Sequence, residues 1–446
     1  MMSREQSVGL ATLSCLLALA LLCGGCGGEE GGGGRITLTV WDWHAADPSK
    51  GVGLWLMEID REFERRHPGV RINHVAQSHN EYYQIFKTRA ATRSGPDVVM
   101  LHQGSRVLDQ RDSLLPLTDY VTPELKKKLV GWDLTSEGFD ADGTPYAVPI
   151  AVQGLVWYYN KAVLAEAGVD VAQPPQTWDA FLAACAALKK AGKAGIAAGE
   201  REGHWAEWFI NSACFQTLSL EDQTRLRRGE LKWTDPRAAA PFERLAELNA
   251  KGCFQEGFMS TALWPDARYV FLRKQAGFFL GLISDVAHWK EFADHFGAEN
   301  VGVVTCPVFA PGPAAEKFPI GGAFAYAVTA WSPHPKEAFD YIAFVASDEN
   351  ARTFLTEVGS FPANQSYDHA LIEDPTAKVI AGWLASGRTG PQMTGKLPVA
   401  LGDTIRRECQ RLLTGQTDVA GATAAIEEAA AAERARTAER EASKSE

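Results

Sequence analysis

Residues 35–101 alternate between two hydrophobic periods, and that alternation restricts the fold more than any other feature of the chain. The segment RITLTVW at 35–41 sets apolar side chains at every second position among β-branched residues, the pattern of a strand. Trp55, Ile59 and Phe63 then recur at every fourth position, a helical stripe that stops at His67-Pro68-Gly69. A second strand is predicted over 70–75. A second helix, carrying Tyr82, Ile85, Phe86 and Arg89, runs to Gly95-Pro96, and a third strand fills 98–101. Strand–helix–strand–helix–strand predicts a doubly wound parallel sheet with right-handed crossovers. Such sheets bind ligands beyond the carboxyl ends of their strands. Here those ends carry Asp42-Trp43-His44, then 77–80 with Asn80, then His102-Gln103-Gly104-Ser105. Amide, imidazole and hydroxyl groups that both donate and accept, with few acids, make an inventory suited to a polyol.

A chain of 446 residues exceeds the about 250–300 at which a single core stops growing, so two domains are expected. A second alternating unit follows the first. Strands are predicted at 276–281 (AGFFLG), 301–304 and 321–328, and helices at 335–346 and 348–359. The end of the chain, rich in alanine, glutamate and arginine, reads as helical from 419 and as a frayed tail over 436–446.

Between the two units lies PYAVPIAVQGLVWYYNKAVLAEAGVDVAQPPQTWDAFL, residues 145–182. Its apolar run over 154–159 breaks at Asn160-Lys161, a short amphipathic segment ends at Gly168, and Pro174-Pro175 stops any helix before Thr177 caps a new one. This order of punctuation resembles the interdomain crossover of the maltose-binding-protein-like sugar-binding proteins that serve ABC importers. GPDVVM at 95–100, LLPL at 114–117 and GPQM at 390–393 match the same family. The resemblance implies a two-lobed periplasmic-binding-protein type II fold, α/β throughout, in which three crossings near 149–151, 305–309 and 358–362 join the lobes. Lobe 1 would comprise 36–149 with 309–358, and lobe 2 150–308 with 359–435. It further implies capture of a sugar in the inter-lobe cleft by hinge closure, delivery to the permease subunits of an importer, a monomer, no cofactor and no catalysis.

The N-terminus carries an uncharged apolar run over 8–23 behind Arg4. That is short for a membrane span of about 20 residues and suits the core of a signal peptide. Gly24-Gly25-Cys26 resembles a lipoprotein processing site, although Cys23 stands where leucine is usual. Residues 1–25 are therefore expected to be removed, Cys26 to take a lipid, and the glycine-rich stretch to 35 to tether the protein to a membrane outside the cytoplasm. A formal charge of −11 without a basic stripe argues against a nucleic-acid partner. Beyond Cys26 the cysteines are Cys185, Cys214, Cys253, Cys306 and Cys409, with no metal-site spacing, and their pairing, including Cys214 with Cys253, is open.

A pyranose has apolar C–H faces and a rim of hydroxyls, so its site needs aromatic platforms and planar polar groups. Among the 13 tryptophans, Trp43 follows the first strand and Trp157 follows the first crossing. The resemblance puts Trp205 ahead of Trp208 in GHWAEWFI. Gln153 stands where the family often has a carboxylate. His102 and Gln103 match a ligand loop, with Gly104-Ser105 replacing the Asp-Arg pair of some maltose binders, and His44 is similarly placed. Ser284 and Asp285 occupy a position where a tryptophan is common, and Lys396-Leu397-Pro398 replace a second aromatic. Gly322, beside Gly321, lets backbone approach the cleft, and Phe324 follows it. With two platforms absent, a mono- or disaccharide is expected over a long glucan. The rival reading, a glycoside hydrolase, needs two carboxylates about 5–9.5 Å apart, and Asp42 with Asp285 is the obvious pair. A charged cargo would call for a cleft lined by several acids or by arginines.

Overall fold

The computed structural model describes residues 35–78, 81–284 and 289–445. The expected signal peptide, Cys26, the glycine-rich stretch to Gly34, Asn80 and Asp285 lie outside the described residues. The strands among those residues are β1 (Ile36–Trp41), β2 (Val70–Val75), β3 (Val98–His102), β4 (Val148–Pro149), β5 (Leu155–Asn160), β6 (Ala194–Ala197), β7 (Ala276–Leu282), β8 (Val301–Val304), β9 (Phe318–Ile320), β10 (Phe324–Val328) and β11 (Thr389–Pro391). They form one sheet in the order β2-β1-β3-β10-β4, a second in the order β6-β7-β5-β8, and a ribbon of β11 with β9.

The first sheet is the core of lobe 1, and its parallel start follows the sequence pattern. β1 pairs with β2 from Ile36↔Val70 to Trp41↔Val75. The helix Gly51–Arg66 buries Val52, Trp55, Leu56, Ile59 and Phe63 in the same hydrophobic cluster as Leu38 and Val40. Arg65 and Arg66 in its last turn complement the helix dipole. In lobe 2, β5 is central and buries all six of its residues. The fit there is close: a Cβ on Gly302 would lie 2.0 Å from the Tyr159 ring.

Three crossings join the lobes, and the second lies further along the chain than 305–309. After β8, Val308 donates its N–H to Gln176 O at 2.7 Å, Phe309 packs on Trp178 at 5.7 Å, and Phe318 is buried in the lobe 2 core. Residues 309–320 therefore belong with lobe 2 rather than lobe 1, because their aromatic side chains find their cover there. The chain enters the lobe 1 sheet only at β10. Gly321 and Gly322, at φ +136° and +74°, make the redirection, a backbone region that side chains disfavour.

The crossings are stitched together. Ala151 bridges Pro362 and Gly154 bridges Ile320. Val152 N–H donates to Phe361 O and Ala363 N–H to Ile150 O, both at 2.8 Å, while Gly321 N–H donates to Gln153 O at 2.9 Å.

The segment expected to fray, 436–446, is helical as far as Ser445. Helix Val419–Ser445 runs through it, favoured by alanine, glutamate and arginine and by an ion pair of Glu433 with Arg436 one turn apart. None of the described helices is long and apolar enough to cross a membrane.

A candidate ligand-binding cleft

Lobe 1 contributes an aromatic wall at the carboxyl ends of β1 and β3. Trp43 is partly exposed, meets the Tyr82 ring edge-on at 4.8 Å and lies 4.8 Å from the His102 ring. The Tyr83 hydroxyl accepts the His102 backbone N–H at 2.9 Å and contacts Nδ1 at 2.8 Å. Arg106 holds its guanidinium 4.5 Å over the Tyr83 ring.

His44 is fixed by Asp42. That carboxylate is fully buried and accepts from the His44 backbone N–H at 2.7 Å, contacts His44 Nδ1 at 2.8 Å and accepts from the Tyr326 hydroxyl. Burial opposes its ionisation, but His44, His74 and the Tyr326 hydroxyl outweigh burial and hold its carboxyl below the usual range. Asp42 thus positions His44.

Two candidates are buried behind the wall. The Phe324 ring is buried, 5.1 Å from His44, and packs toward Tyr326 and Phe354. Gln103 spends its amide on backbone, donating from Nε2 to Ala151 O at 3.0 Å and Phe324 O at 3.2 Å, so it ties β3 to two crossings. His102 and Gln103 are successive residues at a strand end and so point to opposite sides.

The crossings supply a polar floor. Gln153 Oε1 accepts from the Ser284 hydroxyl at 3.2 Å. A Cβ on Gly322 would come 3.4 Å from Gln153 Nε2 and 3.3 Å from Gln392 Oε1, so the three residues converge. Gln392 was not among the sequence candidates although GPQM contains it. Its buried Nε2 has no hydrogen-bond partner among the described residues. A cavity of about 230 Å³ opens beside this floor, lined by Gln103, Gly131, Asp133, Gln153, Gly321 and Gly390. Lys396, where an aromatic was expected, reaches across to lobe 1 and pairs with Asp133 at 2.9 Å.

In lobe 2 the expected platforms are core. Trp157 and Trp205 are both 0% exposed. Trp157 lies on central β5 and turns its ring to Phe181, Phe209 and Trp205. Trp205 stacks on Phe209, one turn later in helix His204–Ala213, with an interplanar angle of 7°, and meets Phe254 edge-on. The stripe facing the sheet is therefore Trp205 and Phe209. Trp208 falls off that stripe, stays partly exposed, and pairs with Trp264 at 5.6 Å. Trp264 also packs on Phe279, whose strand partner Ala197 is the last residue of β6. This pair accordingly stands at the carboxyl end of the lobe 2 sheet. Trp264 was not a sequence candidate; its only signal was a tryptophan before a proline in ALWPDA.

The loop after β6 also carries Glu200, whose Oε2 accepts the Ala206 N–H at 2.9 Å. Burial, aided by Glu207 and Glu202 nearby, pushes its carboxyl up to about 8. Among the described residues no group of three or more His, Cys, Asp or Glu could hold a metal ion.

Comparison with known proteins gives the same architecture. The chain is 25% identical over 374 residues to the melibiose/raffinose/stachyose-binding protein MelE of Bacillus subtilis, covering 78% of this chain and 79% of that one. It is 24% identical over 361 residues to the sn-glycerol-3-phosphate-binding periplasmic protein UgpB of Escherichia coli K12, covering 76% and 77%. A solved chitin oligosaccharide binding protein shares the fold at TM-score 0.77 and 22% identity, over 89% of this chain and 98% of that one. The model of the family described as bacterial extracellular solute-binding protein matches residues 58–379. That match runs from the first helix of lobe 1 through β5 and β7 of lobe 2 and across all three crossings, and the chain belongs to this family.

Proposed function

We propose that this protein captures a mono- or disaccharide between its lobes and delivers it to the permease subunits of an ABC importer. The observation that carries the reading is the pairing of a partly open aromatic wall, Trp43 against His102, with a floor of amide and hydroxyl groups, Gln153 with Ser284. A sugar ring laid on Trp43 would cover its C–H face, while His44, His102 and Gln153 bond its rim. Trp208 and Trp264 would close over it from lobe 2. The name of MelE supports a saccharide cargo. A dissociation constant near 1 μM, about −8 kcal/mol, would allow both scavenging and release. In this reading Cys26 carries the lipid that keeps a monomeric receptor at the membrane.

A second cargo has one observation in its favour. Arg106 over Tyr83 sets a cation at the edge of the wall, and UgpB is named for a polyol phosphate. The deciding experiment is a thermal-shift screen of the purified protein against mono- and disaccharides, polyols and sn-glycerol-3-phosphate. A ligand at 100 times its dissociation constant adds about 2.7 kcal/mol, a shift of several degrees. A response to a saccharide recovered unaltered after overnight incubation supports the reading. A response only to the phosphate transfers it to the second cargo, and consumption of the sugar overturns both.

A further inference from the structure

Ile196 donates its N–H to Cys253 O at 2.8 Å and pairs in parallel with Phe254. One step earlier, Gly195 and Cys253 are therefore neighbours whose side-chain directions share a face. Helix Trp178–Lys190 covers that face. A Cβ on Gly195 would lie 2.6 Å from Cys185 Sγ and 2.9 Å from Cys253 O. The missing side chain thus lets the Cys185 sulfur descend onto the strand beside Cys253. Lys189, Lys251 and Glu247 are the charged groups around Cys253. The other cysteines are differently engaged. Cys214 Sγ donates to Asn211 O at 3.1 Å and stands near Cys306, and Cys409 is buried near Glu200, Glu207 and Glu408.

We propose that Cys185 and Cys253 close a disulfide as the chain matures outside the cytoplasm, a location that rests on the family rather than on the sugar reading. The oxidant is an external disulfide, small or carried by a thiol oxidoreductase. The Cys253 thiolate attacks one of its sulfurs, the external S–S bond breaks, and one thiolate leaves. Cys185 then loses its proton and attacks Cys253 Sγ, expelling the second thiolate. The two cysteines lose two electrons and two protons, which the external pair takes up as two thiols. Both residues are buried in the folded chain, so the exchange takes place before the helix covers the strand, and the finished bond is shielded from reductant.

The test is peptide mapping of the exported full-length protein, alkylated in denaturant without reduction. A cross-linked peptide joining Cys185 to Cys253, with Cys214, Cys306 and Cys409 alkylated, is the expected result. Alkylation of both Cys185 and Cys253, or a link between Cys214 and Cys306 in their place, overturns the proposal. A second readout needs no variant to fold: wild type reduced in denaturant and refolded under a strong reductant should melt several degrees below the unreduced protein, because an open loop from 185 to 253 restores unfolded-state entropy. An unmoved midpoint also overturns it.

Discussion

The exchange of roles between Trp205 and Trp208 can be tested by paired substitutions. Trp205 is 0% exposed and holds Phe209, Phe254 and Trp157 around it, so Trp205→Ala would cost about 3–5 kcal/mol, a large share of a typical stability of about 5–15 kcal/mol. Trp205→Phe is the better probe. It keeps a ring on Phe209, loses roughly 1–2 kcal/mol of packing, and removes an indole N–H that has no partner among the described residues, which returns about 1 kcal/mol. A net loss of about 1 kcal/mol with unchanged affinity is expected. Trp208→Ala should behave in the opposite way: about 1 kcal/mol of stability, because the ring is already partly exposed, and a 5- to 30-fold weaker complex, about 1–2 kcal/mol. Urea unfolding followed by circular dichroism gives the first quantity. Calorimetric titration with the saccharide found in the screen gives the second. If Trp205→Phe leaves the unfolding midpoint in place and cuts affinity tenfold or more, the burial argument fails and Trp205 is a platform after all.

Asp42→Asn should lower stability at neutral pH by about 3 kcal/mol, since a buried carboxylate with charge-assisted partners becomes a neutral amide. Because its folded-state pKa is depressed, Asp42 stabilises the fold above its ordinary value of 3.8 and loses that contribution as pH falls through the lower folded value. Thermal midpoints between pH 2 and pH 6 should therefore fall less steeply in the Asn variant. Glu200 has the opposite sign. Its carboxyl is raised from 4.5 to about 8, so ionising it destabilises the fold progressively across that window. Glu200→Gln should be neutral at pH 4 and gain up to about 5 kcal/mol at pH 9, read by urea unfolding at both. Gly302→Ala forces a carbon within 2.0 Å of the Tyr159 ring and should cost about 3 kcal/mol or more in the same assay, with most of the chain insoluble if lobe 2 fails to close its core.

Lobe 1 was legible because its signals are local. The stripe of Trp55, Ile59 and Phe63 and the alternation of 35–41 each need only the period of their own element, and the structure reproduces both. The second crossing was misplaced because it depends on where Phe309 and Phe318 find cover, a tertiary question with no local period. Trp157 and Trp205 proved to be core for a related reason. Tryptophan satisfies both a core and a sugar site, and only the helical phase set against the sheet separates Trp205 from Trp208. The helix expected from 419 is present, and Ile426 and Ala430 anchor it to lobe 2. Trp264 and Gln392 lie in irregular segments and acquire their neighbours only through the fold.

The stitched crossings have a mechanical consequence. Strands that shared no bonds could each twist separately, giving the lobes several independent ways to part. With Ala151 bridged to Pro362 and Gly154 to Ile320, the connection acts as a single leaf spring that flexes about one axis and resists torsion. The amides of Val152, Gly321 and Ala363 should accordingly exchange slowly with deuterium whether the cleft is gaping or shut, because the bonds that hold them run within the spring and need not break when it bends.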